Sequence, residues 1–171
     1  MNTTSYWIDS ASLPRFPKIE HDVNVDVVVI GGGIMGITAA YLLKKAGRTV
    51  ALLERGRCAQ IDTGHTTAHL TAVTDLRLFD IEKSFGKDAA KAVWDAGSAA
   101  IDQIVTLMRA EDIACDFRWV PGYLHASLGG EDEKSRAELE REATFARELG
   151  IEAEFLAETP YVQRAGVKFS H

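Results

Sequence analysis

Three glycines and one acid in the first third of the chain have the types and spacing to hold a phosphorylated cofactor. Gly31, Gly33 and Gly36 fit G-x-G-x-x-G within "VDVVVIGGGIMGITAAYLLKKAG", and Glu54 follows in "VALLERG". In such a turn the first glycine permits the tight exit from a strand. The second lets a diphosphate approach the backbone, and the third lets the following helix pack closely on the sheet. The anion would sit over Ile34 and Met35 at the start of the helix, where free N–H groups and the helix dipole favour negative charge. Glu54, at the end of the next strand, is placed to accept hydrogen bonds from an adenosine ribose. A carboxylate there repels a 2′-phosphate and disfavours NADP, an exclusion softened by the neighbouring Arg55. Spacing alone does not separate FAD from NAD.

Other chemistries find less support. His65 and His69 stand four apart, but H-T-T-A-H lacks the glutamate of the zinc motif H-E-x-x-H and no third ligand is evident, so no metal is expected. Cys58 and Cys115 match no metal or redox spacing and read as free thiols of a reducing compartment. No G-x-S-x-G elbow suggests a hydrolase.

The elements that must position the turn are legible around it. Val25 to Ile30 reads as a strand buried on both faces of a parallel sheet. Ile34 to Lys45 reads as a helix with Ala39, Ala40, Leu42 and Leu43 inward and Gly47 at its C-cap. Thr49 to Leu53 reads as a second buried strand, so the unit is βαβ and the fold class α/β. Before it, Met1 to Asn24 reads as an extended arm, because Pro14 and Pro17 discourage helix. After it come a polar loop and a long helical stretch in which Ile101, Ile104, Val105 and Met108 form one stripe. Phe117 to Val120 and Tyr123 to Ala126 read as short strands about Pro121-Gly122. "EDEKSRAELEREATFARELG" reads as an amphipathic helix with Leu139, Ala143 and Ala146 inward, its charges solvated and Gly150 at its end. "GVKFSH" reads as the start of a strand. The expected division is an arm at 1–24, a dinucleotide-binding domain at 25–110 and the incomplete start of a substrate domain at 111–171.

The bulk numbers exclude several classes. The chain has 171 residues, 46% hydrophobic and 26% charged, with a net charge of −6, which suits a soluble domain that avoids nucleic acid. The start lacks a signal peptide's basic and apolar regions. The most apolar window, Val27 to Leu43, is interrupted by glycines and read as a buried α/β unit, so no membrane span is expected. A cytoplasmic home is the expectation.

The βαβ segment, with "TGHTTAHLT" behind it, resembles the N-terminus of FAD-dependent oxidoreductases of the D-amino acid oxidase/glycine oxidase superfamily. It is most similar to bacterial members that carry a Rieske domain downstream, and the leader "SYWIDSASLPRFP" resembles the short tryptophan-containing arm of that group. The resemblance implies a Rossmann-like FAD fold in which the loop from Asp62 to Thr71 passes along the diphosphate toward the flavin. Thr63, Thr66 and Thr67 would then donate to phosphate or flavin oxygens, and His65 stands where the group usually has arginine. In the related dimethylglycine and sarcosine dehydrogenases a histidine after T-T-x is joined covalently to the flavin. "TTAH" places His69 similarly, as a covalent link or as a side chain that bonds or packs near the cofactor.

The resemblance further implies oxidation of an amine or amino acid C–N bond by hydride transfer to flavin. Members are about twice this length, so the chain reads as an N-terminal portion, without the pocket or the Rieske ligands and with no nameable acid–base catalyst. A missing C-terminal half or an oligomer partner would cover the open sheet. Two alternatives stand beside this reading: an NAD-dependent dehydrogenase domain, and a non-catalytic nucleotide-binding remnant or assembly module.

Overall fold

Strand, turn and helix alternate where the glycines and β-branched runs require it. A computed structural model describes residues 3–129 and 133–170, and the chain divides into two compact units, Met1–His69 and Leu70–His171. The expected boundary after Ala110 therefore does not coincide with the division by compactness.

The first unit opens with helix α1 (Tyr6–Ser10), then strand β1 (Val27–Ile30), helix α2 (Ile34–Lys45), strand β2 (Val50–Leu53) and a 3-10 turn at Asp62–His65. β1 and β2 pair in parallel, Val27 opposite Val50 through Ile30 opposite Leu53, and α2 makes the crossover. An Asp26–Thr49 clip fixes the register at its start: each backbone N–H donates to the other's side chain, at 2.9 and 2.8 Å. Gly47, at φ +79, ends α2 as expected.

Two expectations are corrected here. The arm is not wholly extended, because the Ser5 carbonyl accepts from the N–H groups of Ile8 and Asp9 and starts α1; the prolines act only beyond Ser10. Nor is β1 buried on both faces. Val27 and Val29 are half-buried, whereas Val28 is 53% and Ile30 85% exposed. The two-stranded sheet carries one helix, so its other face is open. On α2, Ala40 and Leu43 are half-buried but Ala39 and Leu42 are exposed, since the helix meets the sheet along a narrow stripe that includes Gly36.

The second unit contains α3 (Leu78–Phe85), α4 (Lys87–Ala110), β3 (Gly122–His125), α5 (Glu133–Glu148), β4 (Ala153–Leu156) and β5 (Gly166–Phe169). The sheet is antiparallel in the order β3-β5-β4. Its core joins Leu78, Phe79 and Ile81 of α3, Leu139, Ala143 and Ala146 of α5, and Val167 and Phe169 of β5. Ile101 and Val105 of α4 are buried and Ile104 and Met108 half-buried, the expected stripe. Gly150, at φ +79, ends the helical segment.

Phe117 to Val120 is not a strand: pairing with β5 begins only at Gly122, opposite Phe169, after Pro121. β4 went unanticipated. Residues 130–132 of the expected α5 segment lie outside the described residues. The charges of α5 are not all solvated, because Glu142 is 1% exposed. Among the described residues no helix is long and apolar enough to cross a membrane.

Candidate functional site

The three glycines of the turn have three different reasons to be glycine. Gly31 leaves β1 at φ +103, a backbone region that side chains disfavour, while its N–H prolongs the ladder to the Leu53 carbonyl at 2.8 Å. A Cβ on Gly36 would lie 1.9 Å from the Gly31 carbonyl oxygen and 3.5 Å from Val29 Cγ1, so the close approach of α2 to the turn excludes any side chain. Gly33 is the N-cap residue of α2, at φ −79, and a Cβ there would meet only Thr63 Oγ1, at an ordinary 3.6 Å. Neither backbone nor packing demands glycine at 33. What its missing Cβ leaves is open space directly over the N-terminus of a helix, which is the space an approaching diphosphate needs.

Thr63 reaches this point from the 3-10 turn. Its Oγ1 accepts the Ile34 N–H at 3.1 Å, which places a hydroxyl beside the first helical N–H groups with its own proton free to donate. Ile34 and Met35 are 54% and 81% exposed. The Gly32 carbonyl accepts from the Ala59 N–H at 2.8 Å, which ties the loop after β2 to the turn.

Glu54 has an intramolecular task that its position alone did not disclose. One carboxylate oxygen accepts the Gly32 N–H at 2.8 Å and the other the Gly56 N–H at 2.7 Å. These bonds, Gly56 first and then Gly32, with a smaller contribution from the Arg55 charge, hold the carboxyl below its ordinary value of 4.5. The acid thus clamps the glycine turn to the end of β2, and each oxygen keeps a further lone pair for a ribose hydroxyl.

A group with a depressed folded pKa stabilises above its unfolded pKa, and that contribution is lost as pH falls through the folded value. Glu54→Gln is therefore expected to make the acid-side loss of stability shallower, in urea titrations repeated from about pH 7 to about pH 3. Asp26, also held low by its bonds to Thr49, keeps a residual slope. An unaltered acid limb would mean that the clamp contributes nothing.

Beyond Gly64 the loop is exposed. Thr66, Thr67 and His69 all lie on the surface. Thr66 Oγ1 accepts the Ala68 N–H at 3.0 Å, and Ala68 adopts φ +57, a left-handed conformation unusual for a residue with a side chain. His65 Nδ1 donates to the Ile61 carbonyl at 2.8 Å. Contacts thus gather Gly31, Gly33, Ile34, Gly36, Glu54 and Thr63 about one turn, with Arg55 and Met35 exposed at its margin. Thr66, Thr67 and His69 follow along the exposed part of the loop, beyond that turn. Sequence reasoning missed Gly32, whose N–H anchors Glu54, and Gly64, where a Cβ would lie 2.3 Å from the Ala59 carbonyl oxygen; the run of three glycines and the small residues of "DTGHTT" were the available signals.

The open-space glycine and the strand-end acid suit the ADP portion common to FAD and NAD. Consistent with that, residues 26–167 match the family profile described as FAD dependent oxidoreductase. A putative Rieske 2Fe-2S iron-sulfur protein of Bacillus subtilis, YhfW, is 35% identical over 156 residues, which is 91% of this chain and 30% of that protein. Gamma-glutamylputrescine oxidoreductase of Escherichia coli is 30% identical over 142 residues, 82% of this chain and 32% of that protein. A probable oxidoreductase of Haemophilus influenzae, OrdL, is 29% identical over 140 residues, with 81% and 32% covered. The chain therefore spans about a third of the length of these curated relatives, which are about three times its length and not the expected twice. No solved structure matches it at a comparable level.

Proposed function

Because this chain belongs to the FAD-dependent oxidoreductase family, we propose that its first unit binds the ADP half of FAD at the glycine turn. The observation that carries this reading is the open approach over Gly33, a position where the protein itself has no need of glycine. The N–H groups at the start of α2 and the Thr63 hydroxyl would receive the diphosphate. Glu54 would accept from the adenosine ribose while its bonds to Gly32 and Gly56 hold the turn in shape. Thr66, Thr67 and His69 would lie toward the flavin. Family membership favours FAD over NAD.

FAD, when bound, supplies the hydride acceptor. The reaction we propose for the longer protein is oxidation of an amine or amino acid C–N bond; the Escherichia coli relative is named as an oxidoreductase of gamma-glutamylputrescine. This chain's own part is to bind the cofactor and orient its diphosphate at the start of α2. The open β1–β2 face bearing Val28 and Ile30 is the surface we read as covered by further chain or by a partner copy.

The test is uptake of FAD by the purified chain, followed by flavin fluorescence. Saturable binding that ADP displaces is expected; no binding, or binding indifferent to ADP, would overturn the assignment. Acid precipitation of the loaded chain then decides His69. Colour in the pellet, lost in His69→Ala, means a covalent link, and colour in the supernatant means none.

A further inference from the structure

The arm makes directed contacts with the loop that leads away from the glycine turn. Ser5 Oγ donates to the Gly64 carbonyl, and Trp7 Nε1 donates to the Thr66 carbonyl at 2.7 Å. The Ile8 side chain lies over Gly64, where a Cβ would stand 3.3 Å from Ile8 Cδ1 and Cγ1. Farther along, Arg57 Nη2 donates to the Leu13 carbonyl at 3.2 Å, which secures the chain beyond α1. Gly64 itself is buried between Ile8 and the Ala59 carbonyl.

The loop has little of its own to fix it. Its only regular element is the four-residue 3-10 turn; past that turn it is exposed and includes Ala68 at φ +57. A loop of this kind loses conformational freedom when a ligand orders it, and contacts that order it beforehand raise affinity.

We propose that α1 is a latch for this loop and that Ser5 and Trp7 are positioning residues for the cofactor. They act through the carbonyls of Gly64 and Thr66, not by touching the cofactor. Thr63 is held at the start of α2 by its own bond from the Ile34 N–H, and the Gly64 contact fixes the loop just beyond it. The Thr66 contact fixes the direction in which Thr66, Thr67 and His69 leave. The proposal rests on the reading of the turn as an FAD site. It assigns α1 to the flavin side of the cofactor, because the bonds of Ser5 and Trp7 fall on Gly64 and Thr66 of the loop.

The experiment compares the whole chain with Ser5→Ala/Trp7→Phe, which removes both donors and keeps the aromatic ring, and with Ser5→Thr, which keeps the hydroxyl. FAD and ADP affinities are measured separately, together with amide hydrogen exchange of residues 62–68 in the cofactor-free chain. The double variant is expected to bind FAD about tenfold more weakly, the loss of two modest hydrogen bonds. Its ADP affinity should change less than about twofold, its loop amides should exchange faster, and Ser5→Thr should behave as the parent. Equal losses for FAD and ADP would mean general damage to the unit, and undiminished FAD affinity would mean no positioning; either overturns the latch. If the parent chain binds no FAD, the cofactor assignment fails by itself. The exchange data still decide the latch, with unchanged loop protection in the double variant overturning it.

Discussion

Gly36→Ala is expected to abolish FAD uptake and to destabilise the first unit by about 3 kcal/mol or more. The added Cβ would lie 1.9 Å from the Gly31 carbonyl oxygen, which is backbone and cannot swing aside as a flexible side chain would. Relief requires α2 to lift away from β1. That movement carries the first helical N–H groups away from Thr63 Oγ1 and strains the turn that Glu54 clamps. Gly33→Ala is the control. Its Cβ meets only Thr63 Oγ1 at 3.6 Å, so the folded chain should tolerate it while FAD binding falls. Urea unfolding and FAD titration on both variants separate the two roles. The assignment fails if Gly36→Ala is as stable as the parent, or if Gly33→Ala binds FAD unimpaired.

Glu142→Ala is expected to cost the second unit about 2–4 kcal/mol. This carboxylate accepts the N–H groups of Leu78 and Phe79 at 2.8 and 3.3 Å, so a side chain of α5 caps the start of α3. Truncation would orphan two donors within a core. It would also leave the Arg77 charge without its nearby carboxylate, and Arg77 Nη1 is already buried without a partner among the described residues. Glu142→Gln keeps the shape and one acceptor, and its cost should be less than half as large.

The pH dependence distinguishes Glu142 from Glu54. Burial is the largest influence on Glu142 and raises its pKa, partly offset by the two N–H bonds and Arg77. Its folded form therefore holds a proton more tightly than the unfolded chain. The resulting stability is fully present below the ordinary value of 4.5 and is lost as pH rises through the folded value. Glu142→Gln should accordingly gain on the parent as pH rises, opposite in sign to the behaviour expected of Glu54→Gln. Trp94, tilted against Phe169 with ring centroids 5.2 Å apart, is placed to report unfolding of this unit. A pH-independent difference between Glu142→Gln and the parent would remove the buried carboxylate from the account.

Local patterning was enough for the first unit's framework. A β-branched run, a glycine turn, a 3.6-period helix closed by Gly47 and a second apolar run specify β1–α2–β2 with little help from elsewhere, because each element's signal lies within its own residues. The identities of Gly31, Gly33, Gly36 and Glu54 were legible for the same reason: the motif and its context are contiguous. So were the apolar stripe of α4 and the end of α5 at Gly150.

What only the tertiary structure decided depends on partners distant in sequence. Whether Val28 and Ile30 are covered is a property of the sheet around them, and an apolar residue reads the same in either case. Glu142 looks like one more charge on a solvated helix until α3 brings two N–H donors to it from over sixty residues away. Phe117 to Val120 has strand composition, but the ladder with β5 begins only at Gly122. The arm's prolines suggested an extended chain, whereas Ser5 and Trp7 find carbonyl acceptors 59 residues onward and a short helix forms to present them. The sequence by itself determined which residues could cradle a cofactor. The folded chain decided which of them are held in place, because burial, edge pairing and long-range hydrogen bonds exist only once distant segments have met.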